Sequence, residues 1–392
     1  MGQVAPFNSV NQFIIIRYIP VFLLNLTVDK NIIMYYILVE KEDKMRKMCV
    51  FCGRHPVDKN KEHVIPQWLI RETGRTKLPI VDQPDKKIGF MAFTMPACTA
   101  CNERYSKMES DAQSVMQKIL GGMSITAPEI NTLLDWFDKV RVGLWLANAY
   151  LNPQKYDFQP KISIDTRVGK LDRALVVEKI DMPASDKGIL IEGIYSPIFI
   201  YSPSVFQMLI NNYSFTSASC ANLVSNRLGF PVINNVTLVS GGRTRGNLCP
   251  GREKVTHPVI KDFAPSDNQI ILYQPIFSQF QKSPLCQTKY VQKYSLDHNA
   301  GLGGIFYQRG ANSPVTYMTP NDKIRLSPRP YPDDDKSLEN IHQRMYQMQI
   351  YVNNMPIHFD TGDKLTDAKI DLLHRSKSDL MVEFVKNNYK CH

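Results

Sequence analysis

The chain has 392 residues, 47 of them Lys or Arg against 37 Asp or Glu, with 43% hydrophobic and 21% charged residues. At roughly 100–200 residues per domain, this length predicts two or three domains, and the apolar and aromatic content excludes a disordered chain. Gly and Pro recur without a period, which excludes collagen-like and repeat architectures, and the formal net charge of +10 favours a polyanionic partner such as nucleic acid.

Residues 1–44 read as an apolar N-terminal extension of uncertain nature. Phe13–Ile16 and Val21–Leu24 are interrupted by Arg17 and Pro20, and Ile32–Val39 is short. No run approaches the ~18 uncharged residues that a membrane-spanning helix needs, and signal-peptide anatomy is missing. Two readings stand side by side: an added strand or membrane-touching arm, and translation starting at Met45 or Met48. The expected location is cytoplasmic.

Residues 45–120 form a basic, cysteine-paired module. Between Met45 and Lys118 there are 13 basic and 8 acidic side chains, so under a fifth of the chain carries half of its net charge. Such a concentration suits a phosphate backbone, and equally a solvated basic surface. From Asn102, apolar residues at Tyr105, Met108, Ala112, Val115 and Ile119 step by three and four, which predicts a helix ending at Gly121-Gly122. A second helix follows, opened by the capping box Thr126-Ala-Pro-Glu129, with its apolar face at Ile130, Leu133, Leu134, Phe137, Val140, Leu144 and Ala147. Residues 121–153 thus make a helical hairpin or connector.

Residues 154–326 predict a β-rich, mostly antiparallel accessory domain. Its short apolar runs are 161–164, 174–177, 189–191, 197–201, 232–233 and 270–273, with a helix around Pro203–Asn211. Residues 327–336, proline-rich and then acidic, read as an exposed linker. Residues 337–392 supply two C-terminal helices, over Leu338–Val352 and Asp367–Asn387.

Four of the eight cysteines form two C-x-x-C pairs, Cys49/Cys52 and Cys98/Cys101; Cys220, Cys249, Cys286 and Cys391 stand alone. Paired knuckles in a long chain read as metal binding before disulfides. Two thiolates from each tight turn complete a closed tetrahedral site for a structural Zn²⁺ at ~2.3 Å. The 45 residues between Cys52 and Cys98 exceed usual zinc-ribbon spacing, so the ion staples an inserted segment in place.

That segment holds Glu62-His63. Phosphodiester hydrolysis needs a base for water and a cation for the charge at phosphorus and the leaving oxygen. A histidine suits the first role and an adjacent carboxylate is a hard ligand for Mg²⁺ or Mn²⁺. Neighbouring strand residues face opposite ways, so both serve one site only at a strand end or turn. Asn102, directly after the second knuckle, opens a helix fixed relative to the zinc.

Cys49-x₂-Cys52, Glu62-His63-Val-Ile-Pro66 and Cys98-x₂-Cys101-Asn102 resemble the HNH endonuclease family in its zinc-stabilised four-cysteine form. The resemblance covers about Met45–Gln117 and implies a ββα-metal fold that cleaves DNA phosphodiesters around one divalent cation. It implies His63 as general base, with Glu62 and Asn102 as ligands of a catalytic Mg²⁺ or Mn²⁺. The middle Asn of the family is missing, with Phe93 in that stretch, so a backbone carbonyl or another side chain must orient His63. Glu109, seven residues past Asn102, reads either as an added metal ligand or as a solvent-facing residue.

The sequence therefore predicts a soluble α+β protein: a metal-dependent DNA endonuclease module leading a helical connector and a β-rich domain of unassigned role. The alternative is a zinc-stabilised nucleic-acid- or protein-binding module whose catalytic site has decayed. A third reading makes the module the output of a sensing or effector domain that follows Pro153.

Overall fold

The computed structural model describes residues 48–56, 58, 60–74, 79–83, 86–151, 162–182, 188–239, 243–260, 266–355, 358–360 and 362–388. The extension 1–44 and Cys391 lie outside the described residues. Among the described residues, no helix is long and apolar enough to cross a membrane.

The cysteine-paired region begins with an antiparallel pair of strands. Strand β1 (Asn60–His63) lies against β2 (Thr94–Ala97), with Glu62 opposite Met95 and His63 opposite Thr94. Helix α1 (Gln67–Thr73) sits between them in sequence and ends at Gly74, whose φ of 68° is a left-handed stop that glycine adopts without strain. Cys98 occupies the N-cap of α2 (Thr99–Leu120). Helix α3 (Ala127–Leu151) opens on the expected capping box. The Thr126 amide donates to Glu129 Oε2 at 2.7 Å, and the Glu129 amide donates back to Thr126 Oγ1 at 3.4 Å.

The β-rich region is a seven-stranded sheet flanked by helices. In chain order its elements are β3 (Asp172–Lys179), β4 (Ile189–Glu192), α4 (Pro197–Tyr201), β5 (Val205–Ile210), β6 (Tyr213–Cys220), β7 (Ile270–Gln274), β8 (Ile305–Arg309) and β9 (Thr316–Met318). The strand order is β9-β8-β7-β3-β6-β5-β4, and every neighbouring pair is antiparallel. Helices α5 (Asp335–Asn353) and α6 (Lys364–Asn388) follow.

Apolar residues point to both faces of this sheet. Leu175, Val177, Phe206, Met208, Phe215 and Leu272 join the cluster that contains α3 and the cysteine region. Val176, Ala218, Ile271 and Tyr273 join the one that contains Met345, Val352, Met381 and Val385 of α5 and α6. Strands covered on both sides lose the polar alternation that marks a half-exposed sheet.

Three local expectations require correction, the first being the β-run 161–164: residues 162 and 163 lie in no strand, and Ile164 opens a 3-10 turn over Ile164–Thr166 capped by Ser163. Residues 197–201 form a short helix instead of a strand, because Pro197 sits in the first turn and the Phe199 amide donates to Ser196 Oγ at 3.0 Å. Residues 205–210 form a strand instead of a helix; the run is hydrogen-bonded to β4 on one side and β6 on the other, and its unbroken apolar character carries no period. The stretch 327–336 is largely exposed, as an exposed linker would be, and Tyr331 fastens it to the sheet. The Tyr331 amide donates to the Lys179 carbonyl at 2.8 Å, its carbonyl accepts from Asp181, and its hydroxyl donates to Ser266 at 2.7 Å.

The sequence boundaries near 120 and 153 are not core boundaries. One apolar cluster runs from Cys49 to Leu326, with α3 at its centre. Trp136 meets Trp68 of α1 at 5.7 Å between ring centroids, while Phe137 meets Phe215 of the sheet at 5.5 Å. Helix α3 also buries charge. Arg141 pairs with Asp138 at 2.5 Å and donates to the Pro203 carbonyl at 2.8 Å and to Ser217 Oγ at 3.0 Å. Asp138 also receives Arg173 of β3 at 3.3 Å. Removing one member of a buried ion pair strands the other, at a cost of about 3–5 kcal/mol. The Asp138→Ala protein is accordingly expected to lose about that much stability, measured by chemical denaturation, and Asp138→Asn to lose less.

Candidate functional site

The four paired cysteines meet. The Sγ atoms of Cys49, Cys52, Cys98 and Cys101 all lie within 4.8 Å of one another, close enough to hold one metal ion. The first knuckle is a tight turn. The Gly53 amide donates to the Cys49 carbonyl at 2.9 Å, the Cys49 amide to Arg54 at 2.8 Å, and Gly53 takes a φ of 70° that a side chain would strain. The Cys98 amide donates to Cys49 Sγ at 3.3 Å, tying the knuckles together. Burial opposes ionisation of Cys52, yet hydrogen bonds from the Arg54 backbone and side chain and from Cys49 and Cys101 bring it down to about 7. Burial and the neighbouring thiols push Cys98 up to about 11 and Cys101 up to about 12. Four crowded sulfurs cannot all ionise alone, and a cation at their centre removes that conflict.

Two straps fasten this cluster to the rest of the chain. The amides of Ile164 and Asp165 donate to the carbonyls of Val50 and Phe51 at 3.0 and 2.9 Å. The Asp165 carboxylate accepts from Arg104 at 2.6 Å and from Tyr105 at 2.7 Å on α2. Phe51, inside the first knuckle, stacks on Tyr105 at 4.4 Å between centroids. Asp58 accepts from the Thr99 amide at 3.1 Å, so a residue ahead of β1 caps α2.

Glu62 points inward. It is 5% exposed, and its carboxylate takes the ammonium of Lys139, from α3, which also bonds the Glu109 carboxylate of α2. The three side chains come from β1, α2 and α3, and Lys139 is 1% exposed, with its Nζ 5.9 Å from the centre of the Phe51 ring. Burial raises the Glu62 pKa, Lys139 opposes this and Glu109 adds to it. For Lys139, burial alone would favour the neutral amine; the two carboxylates reverse that and hold it above the ordinary lysine value. Two acids sharing one base leave a single buried negative charge, the condition under which one carboxylate is pushed toward its protonated form.

His63 ends β1, half-buried. Its Nε2 lies 2.7 Å from Gln67 Nε2, and its Nδ1 is buried with no hydrogen-bond partner among the described residues. Burial holds the imidazole below the ordinary histidine value, with Lys139 reinforcing this and Glu109 opposing it. Gln67, one turn along in α1, is thus the side chain that grips the histidine where the sequence offers no middle Asn. Phe93 is core, and its carbonyl accepts from the Val64 amide at 3.1 Å.

The two residues expected to share a catalytic cation are each engaged elsewhere. Glu62 is bound to Lys139, and the Asn102 side-chain Nδ2 donates to the Lys61 carbonyl at 3.4 Å, a contact that does not engage its Oδ1. Among the described residues, the cysteines are the one group of three or more His, Cys, Asp or Glu side chains whose ligand atoms gather this closely. Glu62 is therefore not free for a divalent ion in this arrangement: the cation between it and Glu109 is an ammonium.

Lys139 and Gln67 escape sequence reasoning. A signal for the first exists in Asp138-Lys139-Val-Arg141, three charges within the most apolar helix of the chain, where an amphipathic pattern would place none on the packed side. Gln67 carries no such mark. No family model, curated protein or solved structure matches this chain.

Purified native protein is expected to carry close to one equivalent of bound metal by elemental analysis. Cys49, Cys52, Cys98 and Cys101 should then resist alkylation until a chelator is added, and stripping the metal should lower the unfolding midpoint.

Proposed function

We propose that this chain is an endonuclease of the HNH kind, hydrolysing DNA phosphodiesters with His63 as general base and a structural Zn²⁺ in the four-cysteine site. The ββα-metal resemblance is supported by the order of the parts: antiparallel β1 and β2, then α2 springing from the second knuckle. The observation that carries the reading is His63 itself. It stands at the end of β1 with its pKa held below the ordinary value by burial, and because Nδ1 is buried, a water proton reaches the ring at Nε2, once Gln67 releases that nitrogen.

Strand alternation sends Lys61 and His63 to one face of β1 and Glu62 to the other. Lys61 on that outer face, with the exposed Arg54, Arg71 and Lys107 elsewhere on the same module, would supply positive charge for phosphate contacts, which implies weak sequence preference and strong salt dependence. In the proposed reaction a water oxygen bonds to phosphorus while its proton passes to His63. The bond to the leaving oxygen breaks, and that oxygen takes a proton from solvent. A Mg²⁺ or Mn²⁺ ion would polarise the phosphoryl oxygens, but the Glu62 carboxylate is committed to Lys139.

The Glu62–Lys139–Glu109 cluster favours a second reading, a zinc-stapled module that binds nucleic acid or protein and has lost hydrolysis. A supercoiled plasmid assay separates the two, run with Mg²⁺, with Mn²⁺ and with EDTA. Nicking by the native protein that falls about 10²–10⁴-fold in His63→Ala, the usual worth of a general base, supports the nuclease. Equal activity of the two removes His63 from the reaction, and DNA retention without nicking in any buffer selects the binding module. Gln67→Ala, which frees the imidazole, is expected to lower the rate less than His63→Ala.

A further inference from the structure

A carboxylate pair with a cation between it is the arrangement a divalent metal site also uses, and here the cation is part of the chain. Glu62 of β1 and Glu109 of α2 both bond the Lys139 ammonium; Glu62 and Lys139 are buried, and the Glu109 side chain is 20% exposed. The ammonium is not a side chain that strays in from a loop. Its helix is fixed on the opposite side, where Asp138 and Arg141 are paired with each other and with β3, β6 and the Pro203 carbonyl. Gly143, one turn further, lets α3 approach β1 closely, since a Cβ there would meet Val64 Cγ1 at 3.3 Å.

We propose that Lys139 is a built-in counter-cation that occupies a latent divalent-metal position between Glu62 and Glu109. The native chain then binds neither Mg²⁺ nor Mn²⁺ there, and gains that site when the ammonium is removed. The charge balance drives this. With Lys139 the cluster carries one net negative charge; without it two carboxylates face each other in a buried space, and a divalent cation neutralises both. Hard oxygen ligands select Mg²⁺ or Mn²⁺, while the thiolates of the cysteine site do not compete for them. The proposal concerns the inner face of β1 and holds whether or not His63 cleaves DNA.

Mn²⁺ titration of the metal-loaded protein without DNA, read by the electron paramagnetic resonance signal of the free ion, tests it. The native protein is expected to leave that signal as in buffer, and Lys139→Gln to remove one equivalent per chain. Lys139→Gln combined with Glu109→Gln is expected to remove none. A folded Lys139→Gln protein that takes up no Mn²⁺ overturns the proposal. Should that variant fail to fold, Lys139→Met, which keeps most of the aliphatic stem, is read by the same criterion. The native protein needs no variant to decide the first half: one equivalent bound by it and lost in Glu62→Gln overturns the proposal outright. Nuclease activity enters neither criterion, so a failed plasmid assay and a failed titration are separate results.

Discussion

Charge buried on helix α3 is the constraint around which the rest of the molecule is arranged. An ammonium taken out of water is tolerable only when carboxylates meet it, and a buried guanidinium likewise needs acceptors on every side. Lys139 meets that need with Glu62 and Glu109; Arg141 meets it with Asp138, Ser217 and the Pro203 carbonyl. The first set belongs to the cysteine region and the second to the sheet. A single helix therefore fixes both, and neither half satisfies its polar groups without the other. This explains why the apolar cluster crosses the boundaries that composition suggests near 120 and 153.

The cysteine cluster and the lysine cluster reinforce one another through short paths. Phe51 lies between Cys49 and Cys52, stacks on Tyr105 and carries Lys139 near its ring. Asp165, brought back from beyond α3, receives Arg104 and Tyr105 while its own amide bonds to Phe51. A metal at the four sulfurs holds the first knuckle against the start of α2, and α2 in turn sets the position of Glu109. Such an ion would act on the inner site by geometry alone, since a closed four-thiolate shell leaves no position for a substrate.

Much of this was legible in the sequence, for identifiable reasons. The cysteine spacing, the capping box at Thr126, the stop at Gly121 and the period of three and four along α2 and α3 are local signals, and their elements form. The sheet was legible as strands but not as a sheet covered on both faces. That coverage misled the reading of 205–210, where Phe206, Met208 and Ile210 join one core and Val205 the other. Residues 197–201 misled it in the opposite sense, because apolar β-branched composition concealed a serine cap and a proline at the helix start. The site failed differently. Glu62 and His63 were found by their spacing from the cysteines, whereas Lys139 lies 77 residues from Glu62 in sequence and is joined to it through tertiary packing. No pattern short of the fold links the two.

The division of β1 into two faces decides what each residue is able to do. Lys61 is exposed on one face of β1 and His63 is half-buried on the same face, whereas Glu62 lies behind the strand, paired with Lys139. Glu62 therefore acts on the outer face through position, by holding β1 against α2 and α3. Asn102 does the same from the helix side, spending its amide on the Lys61 carbonyl. Burial is what holds His63 below the ordinary histidine value; the Glu109 charge opposes this, and the weaker influence of the Lys139 ammonium adds to it. The imidazole is thus poised between two constraints, Nε2 against Gln67 and Nδ1 buried with no hydrogen-bond partner among the described residues. The cost of that poise, one excess negative charge buried between two glutamates, is carried by the inner face of the same strand.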